Sequence, residues 1–524
     1  MVGGGECFSC AEPTAETAAR KEGGCAMTRR AVAVFAVAMV VTCALVSILP
    51  DAVRVADFRR HGAAKPGACA QFERLLYRYS DFRDEPQPET LSFNRWDLGC
   101  AFSLIPKDEA RQDVDFLFRV LKYGYGAYQF FGGDEAFLAA KEGILAEIED
   151  FPGEDVNPGQ LAELLQRQLG FIQDGHFSIG DKKICRRYRF FARFDMEFDE
   201  CDGRFYARQR PDAWAAAVEG EDPSRWMKPS IDSDGEIFYC LGAVSDSDVD
   251  ICVKLEWSDG SSESVQLELV DSARVRGPVY ELRHVDGVPV AVNRSLTPRP
   301  DTMSELERLT GDARKLRKAP AVILDLRSHM GGNSSYALEW AREFSGADVC
   351  SASLNALLVT STAGKLFENY LSYAGSDLFA AGTSSGPLSV RLWQAAGADP
   401  DRTGWSLISI TRSVRAKSDT LLVVLIDSYA GSAGEDFVKY VRQIENVVVV
   451  GTNTCGSMLA GNVGVFILPN SKIGLSCGTK ISLCEDLANP DGRGLMPDLW
   501  VHPDEALERA IKYIQAVQAD GRNH

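Results

Sequence analysis

The sequence predicts a multidomain α/β protein: an N-terminal apolar anchor, a helical domain, a small β-rich module and a C-terminal, mainly parallel α/β core. Three observations predict it. Residues 31–50, "AVAVFAVAMVVTCALVSILP", are uncharged and apolar. After them apolar residues recur at three- and four-residue steps, and from about 186 to 276 in short alternating runs. From 277 onward continuous apolar runs alternate with amphipathic segments, as in parallel strands covered by helices on both faces. At 524 residues the chain has room for roughly two to four domains.

The elements follow in order. Residues 1–30, rich in Gly, Ala and Glu, read as a disordered tail. About 20 residues at 1.5 Å each span a bilayer core, so 31–50 reads as a transmembrane anchor or a signal segment. Arg29 and Arg30 precede it, while Arg54, Arg59 and Arg60 follow, so charge leaves orientation nearly balanced. The reading adopted is a membrane-anchored, extracytoplasmic main body, or a secreted one if the segment is cleaved. Residues 51–185 form the helical domain; "DEARQDVDFLFRVLKYGYGAY" and "NPGQLAELLQRQLGFI" carry the helical period, and Asn157-Pro158 caps the second. It ends at "QDGHFSIGD", a turn at Asp174-Gly175. Residues 186–276 form the β-rich module, its runs separated by Asp202-Gly203 and Asp259-Gly260. The core, 277–515, opens with the hairpin "PVYELRHVDGVPVAVN" and the amphipathic helix "MSELERLTGDARKLRK". "PAVILDLR", "TLLVVLID" and "NVVVVG" read as buried strands.

Composition is ordinary for a globular chain, 45% hydrophobic and 25% charged. A net charge of −18 argues against a nucleic-acid partner, which needs a basic surface. Fourteen cysteines are many. An even number follows the apolar run, which fits disulfides in an oxidising compartment; Cys185/Cys201 and Cys240/Cys252 are close candidate pairs. No paired Cys and His spacing after the anchor suggests a metal site, and none is expected. Asn293 and Asn333 begin Asn-x-Ser triplets, a weak glycosylation signal.

Three glycine-rich strand ends lie in the core: "DLRSHMGGN", "DSYAGSAGED" and "GTNTCGS". Ligands of open α/β sheets bind beyond such carboxyl ends. Ser432, in "AGSAG", stands like the serine of a nucleophile elbow, with helix N–H groups available to an oxyanion. Alone it reads better as a helix cap, because Glu435 completes a capping box.

The order of segments resembles the C-terminal processing (tail-specific) family of serine peptidases, in its tricorn-core-like branch. "AVILDLRSHMGGN" is similar to the family's strand and glycine turn, "SYAGSAGEDF" to its nucleophile segment, "VVVVGTNTCGS" to its T-x-G segment and "GRGLMPDLWV" to its closing strand. The resemblance covers about residues 277–515. It implies a serine-type peptidase, a hydrolase acting on protein or peptide substrates with Ser432 as nucleophile and no cofactor. The oxyanion hole would be the N–H groups of Gly331 or Gly332 and of Ala433. One departure matters. Many members carry a catalytic lysine directly after T-x-G, and here that residue is Ser457. Lys439, Lys472 and Lys480 lie elsewhere. In the tricorn-like branch a histidine serves instead, and His176 matches its turn. An imidazole with a pKa near 6.5 can take a serine proton near neutral pH. His329, in the glycine turn, is expected to line the site. Asp491 is the expected carboxylate behind the imidazole, with Glu485 and Asp486 as alternatives. The β-rich module stands where relatives carry a peptide-binding PDZ domain, without a clear carboxylate loop. The alternative function is a non-catalytic ligand- or peptide-binding protein on the same fold.

Overall fold

The computed structural model describes residues 66–76, 85–92, 103–373, 392–393, 404–484 and 486–519. After the short helix α1 (Pro66–Leu75), the helical region comprises α2 (Lys107–Gly124), α3 (Gly133–Asp150) and α4 (Pro158–Gln168). The Asn157 side chain caps α4 by accepting the Gly159 N–H, with Pro158 opening the first turn.

The β-rich module is one seven-stranded antiparallel sheet: β1 (Arg189–Cys201), β2 (Arg204–Ala207), β3 (Arg210–Val218), β4 (Met227–Ile231), β5 (Ile237–Ser245), β6 (Ile251–Trp257) and β7 (Ser262–Leu269). Their order is β7-β6-β3-β2-β1-β5-β4, and β7 also pairs with β1. The inner face has a core of its own, including Phe191, Phe198, Leu241, Leu255, Trp257 and Leu267.

The core opens with the hairpin of β8 (Tyr280–Val285) and β9 (Val288–Asn293). Asp286 and Gly287 turn it with φ of 49° and 81°, both positive as a type I′ turn requires. Then come α5 (Met303–Leu316), β10 (Ala321–Asp325), α6 (Ser335–Ser345), β11 (Ser353–Val359), α7 (Ser361–Tyr373), β12 (Gly404–Thr411), β13 (Leu421–Ile426) and α8 (Ala433–Val441). β14 (Val447–Gly451), β15 (Ala460–Ile467), β16 (Gly474–Leu483), β17 (Leu499–Trp500) and α9 (Ala506–Ala519) complete it. The main sheet runs β8-β9-β10-β13-β14-β17, parallel from β9 onward. Its central strands β10, β13 and β14 are almost wholly apolar because both faces are covered. Trp340, Phe344 and Phe437 of α6 and α8 pack on one face, and Ile511 and Ile514 of α9 on the other. The multidomain α/β class is therefore as expected.

A second sheet was not anticipated. It is antiparallel, in the order β12-β11-β16 followed by two-residue strands at 178–179 and 182–183, with β15 also on β16. Ser178–Ile179 pairs with Leu475 and Ser476 of β16. The turn that ends the helical region is thereby stitched into the core.

Two expectations need correction. Among the described residues no helix is long and apolar enough to cross a membrane. The longest, α2 and α3, open with Lys107, Asp108 and Glu109 and with Asp134 and Glu135, and each has an exposed charged face. The transmembrane helix expected at 31–50 lies outside the described residues, and no membrane span is carried forward. Nor are the suggested disulfides present: Cys185, Cys201, Cys240 and Cys252 are all free. Cys201 ends the long strand that begins four residues after Cys185, and extended chain at about 3.3 Å per residue holds them far beyond bridging distance. Cys240 is buried on β5, whereas Cys252 is exposed on β6, and those strands are not neighbours. Asn293 is buried, its amide donating to the Val279 and Ser295 carbonyls, so it does not fit a glycan acceptor.

Candidate active site

Ser432 ends the turn between β13 and α8 with φ 56° and ψ −122°. A non-glycine residue with this backbone is strained by about 1–3 kcal/mol and persists only where its surroundings over-determine it. They do so here. Asp427, at the end of β13, accepts the N–H groups of Tyr429 and Ala430 and, from the neighbouring turn, both the N–H and the hydroxyl of Ser328. Gly431 N–H reaches the His329 carbonyl at 3.1 Å, and Cys455 N–H reaches the Ala430 carbonyl at 2.8 Å. The capping box of Ser432 and Glu435 is present. The cap reading is therefore met, and a cap does not exclude a nucleophile on the same turn.

Glu435 does more than cap. It is fully buried, and its two oxygens accept Ser432 N–H (2.9 Å), Ser457 N–H (2.8 Å), Gly456 N–H (2.9 Å) and the Thr454 hydroxyl (2.5 Å). One carboxylate thus ties the serine turn to the T-x-G segment. Burial pushes its pKa up to about 7, against the pull of these donors.

The glycine turn packs directly on the serine. A Cβ on Gly331, which has φ +80°, would stand 2.9 Å from Ser432 Cβ and 3.3 Å from its Oγ. The Gly331 N–H is occupied: it donates to His329 Nδ1 at 3.0 Å. That fixes the His329 tautomer, so Nε2 carries the proton and donates to Asn293 Oδ1 at 2.9 Å. Burial holds His329 neutral, with its pKa down at about 3. His329 is a brace of the turn. The N–H groups of Gly332 and Ala433 have no partner among the described residues. Of the two expected glycines, Gly332 is the one with a free donor.

The 174–176 turn meets this assembly from the helical side. Gly175 lies against Gly456 and Ser457; a Cβ there would fall 2.3 Å from the Gly456 oxygen and 2.4 Å from Ser457 Oγ. The residue in the lysine position of relatives is thus part of the seat for this turn, its hydroxyl facing the Gly175 carbonyl at 3.4 Å. His176 is half-buried, but its Nδ1 is sealed from solvent and has no partner. Burial lowers its pKa to about 4, with Lys183 acting in the same direction and Asp436, in the first turn of α8, in the opposite one. Among the described residues no hydrogen bond joins the ring to the Ser432 hydroxyl. Asp491 does not meet the imidazole. Its oxygens accept Gly175 N–H (2.8 Å), Met458 N–H (2.6 Å) and Leu459 N–H (2.9 Å). The residue expected to orient the ring directly instead holds the peptide next to it.

Asp174 and its partner Tyr125 were not singled out as site residues from the sequence. Asp174, fully buried, accepts His176 N–H at 2.8 Å and the Tyr125 hydroxyl at 2.8 Å. Burial and the nearby Asp491 raise its pKa to about 7. The acidic residue before the histidine was visible, but its inward direction was not. Of the other candidates, Asp486 accepts its local Ala488 N–H, its one hydrogen bond among the described residues, and Glu485 lies outside them. Lys439 is paired with Asp436, and Lys480, on β16, has its pKa lowered by burial. Among the described residues no group of three or more His, Cys, Asp or Glu could hold a metal ion.

Residues 297–501 match the model of peptidase family S41. The resemblance drawn from the four segments is thereby borne out for this core. Solved structures similar to the chain include mature CPAF complexed with lactacystin, at 13% identity, covering 79% of this chain and 99% of that one with a TM-score of 0.41. The photosystem II D1 C-terminal processing protease is similar at 13% identity, over 78% of this chain and 96% of that one, with a TM-score of 0.35. The tricorn protease is similar at 13% identity, over 80% and 37%, with a TM-score of 0.33. At these identities and scores the likenesses carry no statement about chemistry. No curated protein sequence matches the chain.

Proposed function

We propose that the chain is a serine endopeptidase acting on proteins or peptides. The observation that carries this reading is the backbone of Ser432, held at φ 56° at a strand-to-helix turn beside the unpartnered N–H groups of Gly332 and Ala433. Ser432 Oγ attacks the peptide carbonyl while the neutral His176 ring takes its proton. The two N–H groups receive the oxyanion. As the tetrahedral adduct collapses, His176 returns the proton to the leaving amine and an acyl ester remains on Ser432. Water then attacks that ester with His176 again as base. Asp491 and Asp174 are positioning residues: they hold the N–H groups of Gly175 and His176 and so fix the turn that presents the ring.

Fluorophosphonate labelling tests the reading. Wild-type protein is expected to label, Ser432→Ala to give no label, and His176→Ala to label at least about 100-fold more slowly. A folded wild type without Ser432-dependent label would overturn it. If His176→Ala labels at the wild-type rate, the base is another group, with Lys480 the next to substitute. One observation favours the second reading, a non-catalytic binding protein: the His176 ring makes no hydrogen bond to Ser432. Catalytic hydrogen bonds often tighten only with substrate bound, so labelling decides between them.

A further inference from the structure

The guanidinium groups of Arg187 and Arg274 each lie 5.2 Å from the centre of the Tyr429 ring, three residues before Ser432. They come from opposite ends of the β-rich module: Arg187 from the linker into β1, Arg274 from the linker leaving β7. Both linkers are pinned to the core. Arg187 donates to the Ser428 carbonyl, Tyr188 N–H to the Gly492 carbonyl, and Val275 N–H to the Ser328 hydroxyl. Tyr429 is itself fixed by Asp427. A third guanidinium, that of Arg493, lies 4.9 Å from the Tyr188 ring centre.

These arginines are exposed, and among the described residues none meets a carboxylate. The contrast with their neighbours is informative. Arg186, Arg189, Arg193, Arg208 and Arg210 of the same module all have carboxylate partners. In a chain with 74 acidic and 56 basic residues, unpaired arginines gathered on an aromatic ring beside a reactive turn are not a default arrangement. Asp427, two residues before Tyr429, has its oxygens filled by Ser328, Tyr429 and Ala430, and Asp491, two residues before Arg493, has its own filled by Gly175, Met458 and Leu459. Stacking leaves the edge of a guanidinium free to donate, and a forked donor suits a carboxylate.

We propose that Arg187 and Arg274, arranged on Tyr429, form a carboxylate-binding subsite that selects peptides bearing an acidic side chain close to the scissile bond. This rests on the serine-peptidase reading and adds a substrate class to it. It also gives the β-rich module a role, because the module's two linkers supply the subsite.

The test uses the full chain and matched peptides: one with Glu near the cleaved bond, its Gln counterpart, and each with a free or amidated C-terminus. Wild type is expected to favour the Glu peptide over its Gln counterpart by about tenfold or more in kcat/KM, mainly through KM, whichever C-terminus the peptide carries. In Arg187→Gln/Arg274→Gln that ratio is expected to collapse toward one, and Arg187→Lys/Arg274→Lys to restore it in part. Equal handling of all four peptides by wild type, or a preference that survives the double Gln variant, overturns the proposal. A wild-type preference that follows only the acid/amide difference, and not the Glu/Gln difference, overturns the proposal as well. The same peptides titrated by fluorescence anisotropy into Ser432→Ala protein read the subsite without catalysis. Failure of fluorophosphonate labelling would refute the peptidase reading, while Ser432→Ala protein with both arginines intact that binds the Glu and Gln peptides equally would refute the subsite.

Discussion

At the scale of single residues the proposed chemistry makes specific demands. His176 has its pKa lowered to about 4 because burial disfavours the charged ring. The ring must be neutral to accept a proton, so the acid limb of the labelling rate is expected near pH 4, with a plateau already reached by about pH 6. A midpoint at 6.5 or above would show a solvated imidazole or a different base. Gly331 gives a second test. Its positive φ and contact with the Ser432 side chain leave no room for a methyl group. Gly331→Ala is expected to slow labelling at least about 100-fold, as displacements of about 1 Å do, while the protein still melts cooperatively. The tight strand-to-helix turn at Ser432 and the glycine turn were legible because such turns need small residues in fixed order. Asp491 was found as a position but not as a role. An offset in sequence does not say where a carboxylate points, and this one points at three backbone amides.

At the scale of elements, the long periodic ones were legible: the helices of the helical region, the hairpin at Asp286-Gly287 and the parallel strands were all expected near their observed places. The antiparallel second sheet was not, and the reason is physical. Its link to the helical region is a strand of two residues, Ser178–Ile179, too short for any periodicity, and its register is set by β16 almost 300 residues away. Yet this pairing positions the proposed base. Ser476 Oγ donates to the His176 carbonyl at 2.8 Å and meets Ser178 Oγ at 2.7 Å. Removing that hydroxyl forfeits about 1 kcal/mol of hydrogen bonding in a part-buried place. Ser476→Ala is expected to lower the labelling rate about 3- to 10-fold with a melting shift of only a few degrees, measured on the same preparation. A rate equal to wild type would mean that the strand pairing alone holds the turn.

At the scale of the whole molecule, the joint between helical region and core is acidic and buried. Asp174 is on the helical side, bonded to Tyr125, and Asp491 and Glu435 are on the core side; burial raises all three pKa values. A carboxyl group whose folded pKa lies above its unfolded value stabilises fully below the unfolded pKa, and that contribution is lost as pH rises through the folded one. For Asp174 the window runs from about pH 4 to about 7, and the loss is on the order of 4 kcal/mol. The wild-type curve will not display it directly. His176 and His329 have lowered pKa values, so their contribution is present above about pH 6.5 and lost as pH falls toward 4 and 3, the opposite slope over much of the same range. The difference between Asp174→Asn and wild type isolates the one group. The amide keeps an oxygen for His176 N–H and cannot ionise. Relative to wild type, the variant's melting temperature is therefore expected to rise by several degrees between pH 4 and 7 and to level off above. A difference that is flat or falls with pH would mean that Asp174 ionises freely in the folded protein. The joint would then be wetter than its geometry indicates, and His176 would titrate closer to 6.5, so the melting series and the pH dependence of labelling must agree.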